Sequence, residues 1–166
     1  GAGLDSDPTG TAPTVTVNGV ACTVTANTDS SITATVPDSI VPSKTATLLV
    51  TISGKGYADF TSGTTSTIEV KPSLSSITPS TISTAGALVT INGAGFQTGA
   101  VVKIGSKECQ IRSLTSTTIV CKAPSSGELS LTYKEFSNIK CSSSCYLSTS
   151  SSSTPTVSSV SPATSS

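Results

Sequence analysis

The sequence has no histidine, no methionine and no tryptophan, only three phenylalanines and three tyrosines, and just 11% charged residues in 166. Each shortage closes off a class of function. Without histidine there is no imidazole base for a serine nucleophile, and no G-x-S-x-G turn is present to display one. The nine carboxylates are scattered, which leaves a glycosidase-type acid and base pair without support. Nine Lys and Arg balance them to a formal net charge of zero, so no basic face for a nucleic-acid backbone is expected. No run of about 20 apolar residues and no signal-peptide pattern occurs, so direct membrane insertion is not expected of these residues. The missing initiator methionine reads as a processed product or an excerpt. No enzyme activity is expected.

What fills the chain instead is Ser and Thr, 62 residues together. Such a bias points first to disorder. The mean hydropathy is nevertheless positive, +0.17, and Val, Ile, Leu and Thr recur in short alternating runs. That pattern suits Thr-rich β-structure. Strands are predicted at 14–18, 21–26, 31–36, 44–53 and 65–70, then at 74–77, 87–92, 101–104, 108–113, 117–122, 128–133 and 146–149. Clusters of Gly, Pro, Asn, Asp and Ser separate them, and no segment sustains a 3.6-residue apolar period. Many short strands at regular spacing predict an all-β sandwich architecture.

An internal repeat organises these strands. Residues 22–37, CTVTANTDSSITATVP, align without gaps to 109–124, CQIRSLTSTTIVCKAP, at an offset of 87. Ile32 falls on Ile119, Ala34 on Cys121 and Pro37 on Pro124. The opening GAGL at 1–4 matches GAGF at 93–96, and 154–166 match 71–83, with Val157 on Leu74 and Val160 on Ile77. Three divisions follow: 1–70, a unit lacking its first strands; 71–153, a complete unit; and 154–166, the first strand of another. A nine-residue piece of the kind at 84–92 would bring 166 to 175, the length expected of a two-domain period in a longer repeating chain.

The complete unit resembles the IPT/TIG family of immunoglobulin-like domains. Three pieces carry the resemblance, in order: P-x-L-x-x-I-x-P at 72–79, VTINGAGF at 89–96, and VKIG at 102–105 with Cys109 and IVCKAP at 119–124. The resemblance implies tandem Ig-like β-sandwiches, the first incomplete at its N-terminal strands. In VTINGAGF, Val89 and Ile91 share one strand face. Gly93 and Gly95 offer backbone angles closed to other residues. Phe96 then folds back as a core anchor. Its counterpart Leu4 is smaller, so the first core is expected to be less well filled. Similar domains serve receptor ectodomains, bacterial surface proteins, carbohydrate-acting enzymes and transcription factors. The last need a basic surface this chain lacks.

Five cysteines are present. The resemblance implies a disulfide between Cys109 and Cys121, closing a loop of about 13 residues and contributing roughly 3 kcal/mol. Cys141 and Cys145, spaced C-x3-C, are read as a local disulfide; the other reading is a metal pair, which has no histidine or further thiols to complete it. Cys22 is left over, because its partner position holds Ala34. It is either a buried free thiol or bonded to another chain or a neighbouring unit. No cofactor and no metal are expected; Asp5 and Asp7 could hold calcium, but a turn explains them equally. The cysteine pattern implies an extracellular or cell-surface setting.

Two Ser/Thr tracts read either as flexible linker or as O-glycan carriers. The candidates are Thr61, Thr64, Thr65 and Thr67 in one, and Ser150, Ser151, Ser152, Ser153, Thr154 and Thr156 in the other. The expected role is a structural repeat segment of an extracellular fibre or surface stalk. Its partners would be copies of itself or flanking repeats, joined head to tail. One route is strand addition, with the segment bearing Thr156, Val157 and Val160 filling the groove of a neighbour's first unit. The alternatives are a ligand-binding ectodomain, seeded by Tyr57, Phe60, Tyr133, Phe136 or Tyr146, and a carbohydrate-binding accessory module, which the missing tryptophan disfavours.

Overall fold

A computed structural model describes residues 3–4, 10–60, 66–143, 145–153 and 156–158. Among them there is no α-helix; the chain is nearly all β, in antiparallel sheets. Six strands form a first unit: β1 (Thr14–Val17), β2 (Val20–Asn27), β3 (Ile32–Thr35), β4 (Ser43–Ile52), β5 (Gly56–Tyr57) and β6 (Thr67–Val70). They make one sheet in the order β3-β2-β1-β4-β5, with β6 also on β4.

The second unit follows after two residues. Its strands are β7 (Ser73–Thr78), β8 (Thr81–Ser83), β9 (Ala87–Ala94), β10 (Val101–Ile104), β11 (Lys107–Glu108), β12 (Gln110–Leu114), β13 (Thr118–Ala123), β14 (Gly127–Tyr133), β15 (Phe136–Lys140) and β16 (Tyr146–Ser150). They form two sheets, β11-β10-β14-β16-β8 with β15 on β14, and β12-β13-β9-β7. The single parallel pairing among these strands joins β16 to β8. A 3-10 turn, Ser151–Ser153, ends the unit.

Alternation builds the second core. In β10, Val102 and Ile104 point inward while Lys103 faces out; in β14, Leu129, Leu131 and Tyr133 do the same. These side chains meet Val89 and Ile91 of β9, Leu74 and Ile77 of β7, and Phe96 in one cluster. The first unit's cluster is small by comparison: Val17, Ile40 and Ala46, with Cys22, Val36, Leu48, Ile68 and Val70 half-buried against it.

The repeat holds down to local detail. The β2–β3 register shifts between Val24 and Ala26, and the β12–β13 register shifts between Ile111 and Ser113, each 87 positions later. The turns between them match too. Thr28 N–H donates to the Ser31 carbonyl at 2.7 Å, and Thr115 N–H to the Thr118 carbonyl at 2.8 Å. Three strands escaped the sequence reading: β5, β8 and β15. The first two are two and three residues long, too short to show a period. In β15, Asn138 takes a φ of 53° and the register shifts, so alternation is lost.

Candidate functional site

The surface that differs most between the two units is the face beside β3. In the second unit, β13 is hydrogen-bonded on both sides, by β12 and by β9. The β9 register places Ile91 opposite Ile119, Val89 opposite Cys121 and Ala87 opposite Ala123. Under that cover Ile119, Cys121 and Ala123 are all 0% exposed. In the first unit, among the described residues, β3 pairs only with β2. Its matching residues Ile32, Ala34 and Val36 are each half-buried.

They line an open trough of about 200 Å³ with Val15 and Val17 of β1, Cys22 of β2, Leu48 and Val50 of β4, and Ile68 of β6. All nine are apolar or thiol side chains. Their counterparts Val102, Ile104, Cys109, Leu129 and Leu131 lie buried in the second core. The strand edge beside the trough, ITAT, carries no charge and no proline, the usual guards of an exposed edge.

The hinge of the trough is preserved as well. Phe96 N–H donates to the Ser116 carbonyl at 2.9 Å, and Leu4 N–H donates to the Asp29 carbonyl at 2.9 Å. Gly95 and Gly3 hold φ of 71° and 78° in the same turn. So the hook that follows β9 in the second unit recurs at Gly3 and Leu4 in the first.

A second recess of about 550 Å³ lies at the junction, lined by Lys44 and Glu69 from the first unit and by Ser73, Leu74, Glu135, Phe136, Ile139 and Lys140 from the second. Two contacts tie the units across it. Lys44 N–H donates to a Glu135 carboxylate oxygen at 3.0 Å, and Lys44 Nζ sits 5.9 Å from the Phe136 ring centre. Nearby, Gly95 N–H donates to the Asp38 carbonyl at 3.1 Å.

The structure pairs Cys109 with Cys121 and Cys141 with Cys145, and leaves Cys22 free and half-buried. Cys22 lines the trough. Of the candidate aromatics, Tyr133 and Phe136 are buried and Phe60 is half-buried, while Tyr57 is 72% exposed and Tyr146 55%. They form no shared patch among the described residues. Thr67, Ser151, Ser152 and Thr156 are exposed. Ser150 is half-buried at the end of β16, its hydroxyl 2.7 Å from that of Ser152, so the second tract begins inside a strand. Val157 is 79% exposed. Thr61, Thr64, Thr65, Thr154, Val160, Asp5 and Asp7 lie outside the described residues, as does the side chain of Ser153.

The family comparison fits this architecture. The IPT/TIG domain family matches residues 72–149. The second unit is an IPT/TIG domain. The match begins one residue before β7 and ends within β16, so it takes in both sheets of that unit. The six strands ahead of it repeat its bulge, turn and hook. No curated protein matches the chain in sequence. Two solved structures are similar to it, both of the full extracellular region of plexin A4. The one with domains 1 to 8 is 15% identical over 87% of this chain, with a TM-score of 0.42. The one with domains 1 to 10 is 16% identical over 79%, with a TM-score of 0.29. The chain spans 15% and 12% of those two chains. IPT/TIG domains are non-catalytic Ig-like modules.

Proposed function

We propose that the chain is a structural segment of an extracellular fibre or cell-surface stalk, made of Ig-like units stacked head to tail. The junction carries this reading. The strand β6 ends at Val70 and β7 starts at Ser73, so only Lys71 and a fully buried Pro72 separate the units. A two-residue connection fixed by the Lys44–Glu135 and Gly95–Asp38 hydrogen bonds resists bending, which is what a spacer needs. Two disulfides suit an oxidising, extracellular setting. Electron microscopy of the purified material tests the reading: fibres with a two-unit axial repeat uphold it, and dispersed particles at every concentration reject it.

O-linked sugar on the exposed Ser/Thr belongs to the same proposal, because it would cover Thr-rich sheet faces. An intact mass above the 16.4 kDa of the chain is expected, and agreement with that figure rejects it. The second reading, a ligand-binding ectodomain segment, draws on the junction recess, where Lys44, Glu69, Glu135 and Lys140 surround an apolar floor of Leu74 and Ile139. Binding of a soluble partner that is lost on filling this recess would favour it.

A further inference from the structure

We propose that Cys141–Cys145 is a reducible clasp on the joint between the two units: a dithiol opens this bond ahead of Cys109–Cys121 and so loosens β15, the strand that meets the first unit. The clasp rests on the spacer reading above only for its purpose; its chemistry and geometry stand alone.

The two disulfides differ in access. Cys109 and Cys121, just before β12 and within β13, are 1% and 0% exposed in the second core. A reagent reaches them only when that hairpin opens. Cys145 is buried too, but Cys141 is only half-buried, directly after β15. Exchange needs a thiolate to reach one sulfur of the bond. Cys141 Sγ is the one within reach. One thiolate of the dithiol attacks it, forms a mixed disulfide and expels the Cys145 thiolate, which takes up a proton. The second thiol of the reagent then displaces Cys141. Two protein thiols and one oxidised, disulfide-form reagent result, with two electrons passed from reagent to protein.

The same bond fixes the strand that meets the first unit. Among the described residues β15 pairs only with β14, and that register shifts between Leu131 and Tyr133. A single, interrupted ladder holds an edge strand weakly. At its start, the Glu135 carboxylate and the Phe136 ring receive Lys44 of the first unit. At its end, Cys141 forms a bridge to Leu74 of β7, where Ser142 N–H donates to the Leu74 carbonyl at 3.4 Å. The disulfide carries that end on to Cys145, whose carbonyl accepts the Leu129 N–H at 3.0 Å. Together these contacts tie the end of β15 to both sheets, beside the two-residue connection. The other tether at this end, Lys140 Nζ to a Glu128 carboxylate oxygen at 2.7 Å, is an exposed ion pair and contributes little.

The test uses the whole chain. Cys22 is first blocked with N-ethylmaleimide, dithiothreitol is added without denaturant, and new thiols are trapped with iodoacetamide and located by peptide mass. Alkylation at Cys141 and Cys145 is expected to outrun that at Cys109 and Cys121 by about tenfold or more. Small-angle scattering of the trapped product is expected to show a wider spread of interunit angles. C141S with C145S is expected to show the same spread without reductant. The second unit's thermal transition is expected to persist in both, at a lower temperature. Equal rates at the two bonds, or a faster rate at Cys109–Cys121, overturn the proposal. So does selective reduction with an unchanged scattering curve, or with loss of the second unit's transition, because the bond then serves that unit alone. Selective reduction and a wider spread in material that never forms fibres uphold the clasp and reject only the fibre.

Discussion

At the scale of single residues, Gly93 and Gly95 stand two apart in one turn and are required for different reasons. Gly95 has a φ of 71°, which a side chain tolerates badly. Gly93 has ordinary backbone angles; a Cβ there would run into the Ser73 carbonyl and the Phe96 ring. The motif was legible as a turn, but the crowding at Gly93 was not, because it depends on a strand twenty residues away. Phe96 is 2% exposed against that glycine, and Phe96→Ala is expected to cost about 3–5 kcal/mol in denaturant unfolding of the second unit. The counterpart Leu4→Ala, in a half-open core, is expected to cost less than half as much. Ala34 shows the same logic in reverse. It sits where Cys121 sits, and Cys121 meets Cys109 at a Cα separation of 5.5 Å. Ala34→Cys is therefore expected to close a bond with Cys22 and remove the free thiol. A titration that still finds two thiols per chain would show that the two hairpins differ in register.

At the scale of elements, the informative comparison is β3 with β13. Their sequences alternate alike, and the same bulge precedes each. Nothing in ITAT itself says that one side lacks a neighbour. Strands read from alternation were placed to within one or two residues at most ends. Those whose pairing is non-local, such as β8 on β16, left no local trace. The hairpin carrying Cys109 and Cys121 is closed by a bond spanning 12 positions, against 4 for Cys141 and Cys145. Chain entropy then ranks them: loss of the first bond, by Cys109→Ser with Cys121→Ser, is expected to cost about 3 kcal/mol, and loss of the second about 2 kcal/mol. Thermal unfolding of the two double variants checks the order.

At the scale of the whole molecule, two unequal units are joined by two residues, Lys71 and Pro72. The first has the smaller buried cluster, so two unfolding transitions are expected, the lower one belonging to the first unit. The junction is held partly by the Lys44 N–H to Glu135 bond. Glu135→Ala is expected to change stability by under about 1 kcal/mol, as for other exposed charged contacts. It should nevertheless broaden the distribution of interunit angles seen by small-angle scattering. An unchanged scattering curve would assign the stiffness to Pro72 and the Gly95–Asp38 bond alone.

The two units differ most in one pairing: β13 lies between β12 and β9, while among the described residues β3 pairs only with β2. Amide hydrogen exchange on the isolated, dilute chain reads this directly. The amides of β13 are expected to be protected on both sides, while alternate amides of β3, those not bonded to β2, exchange at close to the rate of unstructured peptide. Equal protection of the two strands in that dilute chain would contradict the account.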